Sequence, residues 1–407
     1  MDRGRLVFAS TSLGFLLWGL ITSLAYIVYP EFHDPAYLAV VAVMPLVGDL
    51  ALSRLSDLLV GRKRAFLATM SLYAAGTLLV VFDVLYLSMN EALFLVGFAL
   101  ATFAVEGEVP VSLAYLAEVT PPEGRDRALI LSTNFDNLGA ALAAAIALLA
   151  YGSRSSYSLE ALSIAVAALV ALAAVAAVRS RIPESEMWLR ARGRMPRAEP
   201  EGRPAQPPGV GLLGRFSFLA ALGLSQYLTY GLMAFVIADY FFSGSALDLV
   251  VLAANAAAFA AGLAAPALEE RLGSMDFAVL SFSGGLATMA PIAAWALLFP
   301  VQWAFYPLLA LNMAFSEFAW AVRIVYEPAL FPTESRAFMV GLVRSVPIAA
   351  YSASSYLTSS LAEPAFIAYN AVLWALGAAA SAAWRRLGYD VSNLPLEISG
   401  SLPSRRP

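Results

Sequence analysis

The sequence has no cysteine and a single histidine, His33. The first absence excludes a disulfide framework, a thiolate metal site and a cysteine nucleophile. The second leaves no material for a histidine-based metal centre or a Ser-His triad, and no cofactor or metal is expected. Charge is scarce too: charged residues make up 13% of the chain, against about 25% in soluble domains. Lys63 is the only lysine. A soluble chain of 407 residues would fold as two or three domains, and there are too few charges to cover them. What is abundant is apolar: 60% hydrophobic residues and a mean hydropathy of +0.73. A surface that faces lipid needs no charged cover.

A bilayer core takes about 20 apolar residues per helix. Apolar runs between polar breaks predict spans at 6–29, 37–60, 65–87, 92–117, 128–151 and 159–179, then at 215–242, 247–267, 276–299, 303–327, 337–360 and 365–384. The expected class is an all-α integral membrane protein of twelve helices. Arg3 and Arg5 before the first run resemble the start of a signal peptide. The run is too long for one and lacks a small-residue cleavage site, so it reads as the first helix.

Basic residues fall in alternate loops: Arg3 and Arg5; Arg62, Lys63 and Arg64; Arg125 and Arg127; Arg181 through Arg203; Arg271; Arg336; and Arg385, Arg386, Arg405 and Arg406. The opposite loops hold Glu31, Asp34, Glu91, Asp248 and Glu363, with Arg154 as their one basic residue. The positive-inside rule then puts both termini in the cytoplasm of a cell-membrane protein. The Arg-, Pro- and Gly-rich segment 181–214 is expected to be a mobile cytoplasmic linker. It separates an N-terminal bundle, 1–180, from a C-terminal bundle, 215–384, followed by a tail, 385–407.

The second half repeats the first. Asp57 and Gly61 close the second span, and Glu269 and Gly273 close the eighth, 212 residues later. Tyr115, Pro121 and Arg125 follow the fourth span; Tyr326, Pro332 and Arg336 follow the tenth at a displacement of 211. Parallel six-helix repeats are a transporter architecture in which substrate sits near mid-membrane and the halves rock around it. Nothing points to an enzyme: no dyad, metal cluster or lipid-phosphate motif is visible, and no nucleic-acid surface.

At these loops the sequence resembles the major facilitator superfamily. Asp57-Leu-Leu-Val-Gly61-Arg62-Lys63-Arg64 is similar to the family's loop between helices 2 and 3, with one extra residue between Asp and Gly. Tyr115-Leu-Ala-Glu118-Val-Thr-Pro121-Pro-Glu-Gly-Arg125 is similar to the loop after helix 4. Pro183-Glu184-Ser185-Glu186-Met187-Trp188-Leu189 resembles the signature after helix 6 of sugar porters and metabolite:proton symporters. Phe331-Pro332-Thr333-Glu334-Ser335-Arg336 is similar to the loop after helix 10, with Ala329 where a Glu is usual. The resemblance implies that Asp57, Arg62, Arg64, Glu118 and Arg125 form cytoplasmic ion pairs that latch an outward-facing state. Glu184, Glu269 and Arg336 belong to the same set of gating motifs. Otherwise these charges only serve topology and helix capping.

Ionisable groups inside the membrane are functional hypotheses by default. Glu106 lies near the middle of the fourth span and Glu317, 211 residues later, near the middle of the tenth. The resemblance implies that both helices line the cavity, so the two glutamates are expected to face each other across it. Burial in general disfavours the charged form of a carboxyl group, which makes each a candidate proton carrier; the alternative is hydrogen-bonded packing. Glu108, two residues on, points about 200° away from Glu106, so only one of the pair faces the cavity and the other pairs elsewhere. Asn134, Asp136 and Asn137 form a polar cluster, for substrate, proton or interhelical adhesion. Arg344 is a candidate for an anionic substrate or for pairing with Glu317. Asp49 and Asp83 are expected nearer helix ends, within reach of water, and Arg323 is expected to snorkel and to pair with Glu327. Gln226 and Tyr230 on the seventh span are substrate candidates, and Trp18, Tyr26, Tyr227 and Trp320 could stack on a ring.

Two departures bear on coupling. Proton-driven sugar porters usually carry an Asp on helix 1 and an Arg partner on helix 4; here Ile21 and Leu100 stand in those places. The expected function is therefore a secondary transporter of a small polar metabolite, a sugar or an organic acid, with proton symport through other carboxylates. Uncoupled facilitation and proton-coupled export are the alternatives. The resemblance implies that a monomer suffices.

Overall fold

A computed structural model describes residues 3–32, 35–151, 157–196, 209–242, 245–358 and 361–401. His33, Asp34, Arg154, Arg203, Arg405, Arg406 and the side chains of Tyr26 and Glu31 lie outside the described residues. The elements are α1 (Arg3–Phe32), α2 (Pro35–Leu55) continued by a π turn (Ser56–Val60), α3 (Arg62–Tyr86), α4 (Glu91–Val119), α5 (Pro122–Thr133), α6 (Phe135–Tyr151), α7 (Tyr157–Arg179) and α8 (Glu186–Ala191). They continue as α9 (Leu212–Gly231), a second π turn (Leu232–Val236), α10 (Ile237–Phe241), α11 (Ser245–Leu272), α12 (Ser274–Leu298), α13 (Gln302–Ala329), a 3-10 turn (Thr333–Ser335), α14 (Arg336–Thr358), α15 (Glu363–Leu387) and α16 (Leu396–Ser399).

Among the described residues, eleven helical segments are long and apolar enough to cross a bilayer. The expected span 37–60 is α2 with its π turn, which packs against α4 and α14. Two spans are composite. α5 and α6 meet at Asn134, and α9 runs through its π turn into α10. The fifth span starts earlier than expected because Pro122 opens α5, where a missing N–H costs nothing. The outer surface is apolar: Leu149 is 82% and Val170 69% exposed. Tyr86, Phe299 and Trp303 are exposed at helix ends, where amphipathic rings favour the membrane–water boundary.

The repeat is written into the backbone. Gly61 (φ 86°) and Gly273 (φ 78°) cap α3 and α12 in a conformation that side chains disfavour. The extra residue between Asp57 and Gly61 is taken up by the π turn, where the Gly61 N–H bonds the Ser56 carbonyl at 3.1 Å.

The helices before α8 and those after it meet along two seams. In one, α2 and α4 lie against α14; in the other, α5 and α6 lie against α11. Gly341 of α14 sits so close to α2 that a Cβ there would lie 2.5 Å from the Asp49 carbonyl oxygen. The start of the linker is folded, contrary to the expectation of mobility. Ile182 and Trp188 are buried, and the Trp188 indole donates to the Asp57 carbonyl at 2.9 Å. The tail is folded through residue 401 as well: Tyr389 donates to the Ser399 carbonyl at 2.9 Å.

Candidate functional site

α4 enters from the face opposite the termini and returns to the terminal face at Val119. Successive turns present Phe98, Thr102 and Glu106 to a cavity of about 630 Å³. Trp18 and Thr22 of α1, Pro45 of α2, Tyr227, Tyr230 and Phe235 of the α9 span and Tyr351 of α14 complete its wall. A second cavity of about 430 Å³ adjoins it through Trp18, Tyr227 and Tyr230. Its polar lining is Asp136, Asn137, Gln226, Glu317 and Arg344. Six of the eight residues expected at the site thus line one or both cavities: Glu106, Asp136, Gln226, Tyr230, Glu317 and Arg344.

Glu106 and Glu317 do not pair with each other; each is held from the opposite half. Arg344 of α14 donates from Nη2 to Glu106 Oε1 at 2.5 Å, and the Trp18 indole donates to Glu106 Oε2. Arg344 Nε also lies 3.6 Å from Asp49 Oδ2. Arg344 therefore pairs with Glu106 and Asp49, and the expected alternative pairing with Glu317 does not form. Glu317 Oε2 instead accepts from Asn137 Nδ2 at 2.7 Å. Asp136 Oδ2 accepts from the Trp320 indole at 3.1 Å.

A second guanidinium lies beside the first. Arg323 donates to Glu327 at 2.7 Å and to Gln226 Oε1 at 2.6 Å. It is fully buried, so the expected pairing with Glu327 forms and the snorkelling does not. Both guanidinium carbons stand over the Trp320 ring, Arg323 at 4.9 Å and Arg344 at 5.4 Å from its centroid.

Several buried atoms have no hydrogen-bond partner among the described residues: Glu317 Oε1, Arg344 Nη1, and Arg344 Nε and both carboxylate oxygens of Asp49, whose ion pair is too long for a hydrogen bond. Groups like these are rare in native structures and call for an explanation.

Glu108 and Asn134 lie elsewhere. Glu108 faces away from the cavities, accepting from Arg179 Nη1 at 2.7 Å and Thr69 Oγ1 at 2.5 Å. The 3.6-residue period forces this split, because Glu106 takes the cavity face. Asn134 donates to the Phe259 carbonyl of α11 at 2.9 Å, across the seam. Asp49 is fully buried mid-span rather than near a helix end; Asp83 lies one turn from the end of α3, as expected, with its side chain covered and accepting from the Asn90 N–H at 3.0 Å. The sequence reading undervalued Asp49, although it stands at the midpoint of the span 37–60.

The gating motifs converge at the terminal face, about 18 Å along α4 from Glu106 at 1.5 Å per residue. Arg62 is fully buried between Asp57 at 2.5 Å and Glu118 at 2.8 Å. Arg336 of the second half reaches the same Glu118 oxygen at 3.0 Å. Asp57 Oδ2 accepts from the Phe338 N–H at 2.7 Å, also across the seam. Glu184 accepts from the Arg62 N–H at 2.8 Å, and Ser185 donates to Glu118 at 2.6 Å. Three members depart from expectation. Arg64 is exposed and makes no ion pair among the described residues. Arg125 donates to the Leu394 carbonyl at 2.7 Å and to that of Val391 at 3.3 Å, not to the other motif charges. Among the described residues the Glu269 carboxylate accepts from Ser392, at 3.3 Å, and forms no ion pair. The bonds across the seam thus close the terminal face, while the larger cavity lies on the other side of Glu106.

The Major Facilitator Superfamily model matches residues 6–350. No curated protein sequence matches the chain. Among solved structures, the proton:xylose symporter XylE bound to 6-bromo-6-deoxy-D-glucose is 14% identical, with a TM-score of 0.73 over 97% of this chain and 98% of that one. The xylose transporter XylE from E. coli in a partially occluded inward-open conformation is 13% identical (TM-score 0.66, 96% and 99% covered). FucP in an outward conformation is 14% identical (TM-score 0.64, 94% and 99% covered).

Proposed function

The chain belongs to the major facilitator superfamily, and from that premise we propose that it moves a small polar metabolite across the cell membrane by alternating access, coupled to a proton. The basic residues of the terminal face support a cytoplasmic position for it; on this reading the closed face is the inward one and the larger cavity lies on the outer side.

The observation that carries the reading is the contact between Arg344 of the second half and Glu106 of the first, at 2.5 Å on the cavity wall. With Asp49 it forms a cluster of one guanidinium and two carboxylates, net −1 when all are ionised. One proton makes the cluster neutral. A proton on Glu106 leaves Arg344 with only the longer contact to Asp49 and weakens the tie between the halves. Proton binding thereby biases the two-state element that alternating access requires. Asp57, Arg62, Glu118 and Arg336 serve as the cytoplasmic latch that opens in the same step. Glu108, paired with Arg179 inside one half, takes no part. Two of the solved structures of similar fold are of a proton:xylose symporter and a xylose transporter, which supports a small polar solute.

The test uses proteoliposomes and Glu106→Gln. Accumulation driven by an inward proton gradient should disappear, while exchange of solute across the membrane stays partly intact. Undiminished accumulation in Glu106→Gln would remove the proton role. Saturable exchange with no response to pH in the unaltered protein would make this an uncoupled facilitator.

A further inference from the structure

The polar atoms of the second cavity are unbalanced in a way that selects a ligand. Asp136, Glu317 and Arg344 line it, and the buried Asp49, Glu106 and Glu327 are ion-paired to Arg344 or to Arg323, so five buried carboxylates share two guanidiniums. Arg323 is used by Glu327 and Gln226. Arg344 is shared by Glu106 and Asp49. Asp136 has the Trp320 indole and the Asn137 backbone N–H for partners, Glu317 has the Asn137 side-chain amide, and neither forms an ion pair among the described residues. At the same time Arg344 Nη1 and Glu317 Oε1 are a buried donor and a buried acceptor with no hydrogen-bond partner among the described residues. Each such group costs its full desolvation unless a ligand completes it.

An anion alone satisfies Arg344 and leaves the carboxylates uncompensated. A cation alone does the reverse. A neutral polyol supplies hydrogen bonds to both but no charge to either. Beside these groups lies the larger cavity, walled by Trp18, Phe98, Tyr227, Tyr230, Phe235 and Tyr351. Those rings suit an apolar or aromatic substituent, and their faces also favour a cation at the boundary between the cavities.

We propose, resting on the transporter reading above, that the solute is a zwitterion: an α-amino acid with a large apolar or aromatic side chain. Its carboxylate takes the free edge of Arg344. Its ammonium takes Glu317, with Asp136 alongside. Its side chain enters the aromatic cavity.

A matched series of probes separates the charges. Binding of L-phenylalanine, 2-phenylethylamine, 3-phenylpropionate and D-xylose is measured by calorimetry on the full-length protein in detergent. Counterflow of each is then measured in proteoliposomes. L-Phenylalanine should bind at least about tenfold tighter than either singly charged analogue, a difference of about 1.4 kcal/mol. Glu317→Gln should weaken the amino acid and the amine by about tenfold and leave 3-phenylpropionate unchanged. Arg344→Lys, which keeps the charge but loses the fork, should weaken the amino acid and the acid and spare the amine.

Equal binding of one singly charged analogue, binding of xylose alone, or no binding of any probe overturns the zwitterion. This comparison needs only the unaltered protein, so it stands even where a variant fails to fold. Xylose counterflow without an amino-acid response overturns the zwitterion and keeps the transporter. Tight binding of L-phenylalanine with no counterflow of any probe keeps the zwitterion site and removes the transporter.

Discussion

The loops after α2 and α11 occupy equivalent places in the repeat and are held by different chemistry. After α2, Arg62 lies between Asp57 and Glu118. After α11, Ser274 takes the place of Arg62 and Ala329 that of Glu118. There, hydroxyls do the work: Ser274 Oγ bonds Asp390 at 2.5 Å and lies 2.9 Å from the Tyr326 hydroxyl. In both halves the loop is covered by the segment that follows the last helix of its own half. Pro183 and Arg192 cover the first, through Tyr115 bonding the Pro183 carbonyl and Arg192 the Asp57 carbonyl at 2.9 Å. Residues 388–401 cover the second. The equivalent arginines Arg125 and Arg336 both reach across: Arg336 to Glu118, Arg125 to the tail carbonyls. Cross-seam contacts are thus nearly symmetric, while the charge inside the loops is not. A buried ion pair has two well-separated arrangements, bonded and hydrated, and suits a loop that must let go. A hydroxyl network holds its partners at lower stake and suits one that stays.

The comparison breaks most readily at Glu118, which serves both Arg62 and Arg336. Glu118→Ala leaves two buried guanidiniums without their main carboxylate. Removing one partner of a buried pair costs about 3–5 kcal/mol, enough to shift a closed latch by more than about a hundredfold. The absence of cysteine makes the readout direct. Thr102→Cys in the cavity wall should react readily with an external impermeant thiol reagent. Adding Glu118→Ala should suppress that labelling and slow uptake severely. Unchanged labelling would mean that the ion pairs are only structural.

Removing residues 388–407 should have the next largest effect. Arg125 then loses both carbonyl acceptors, and Arg215 loses those of Ser399 at 3.1 Å and Ser401 at 2.6 Å. Because α15 ends at Leu387, the membrane helices are spared. Two guanidiniums lose neutral acceptors, each worth about 1.5–3 kcal/mol. The shortened chain should label less at Thr102→Cys and transport about tenfold more slowly, with solute affinity near normal. A loss of affinity at an unaltered rate would place the tail's role at the cavity instead of the gate.

How much of this was legible in the sequence follows from the physics of each signal. Twelve spans and their repeat were legible because lipid demands long apolar runs and because Gly61 and Gly273 mark turns that tolerate few other residues. The ion pairs of Arg62 with Asp57 and Glu118 were legible because all three residues sit in contiguous motifs. Depth was legible for Glu106 and Glu317, and the 200° rule separated Glu106 from Glu108. Azimuth was not legible across the seam. Whether Arg344 meets Glu317 or Glu106 depends on how α14 rotates against α4 and α13, and no local pattern fixes that. Arg179, the last residue of α7, folds back to Glu108 because an unpaired carboxylate at that depth is costly, and no sequence pattern links the two. Besides its neighbour Asp126 at 3.4 Å, the partners of Arg125 are tail carbonyls, which leave no mark in side-chain patterns.

The smallest expected effect sharpens the comparison from its quiet side. Ser274→Ala removes the hydroxyl that stands where Arg62 stands in the other half. Asp390 keeps the Ser392 N–H at 2.9 Å and the Ser392 hydroxyl at 2.7 Å, so it is not left bare. A neutral hydrogen bond contributes about 0.5–1.5 kcal/mol net, and none of the charges that cross the seam is touched. Uptake should therefore stay within about twofold of normal, and labelling at Thr102→Cys should not change. If Ser274→Ala slowed transport as much as Glu118→Ala, the second loop would also be a moving part of the gate. The charge asymmetry between the halves would then say nothing about which loop lets go.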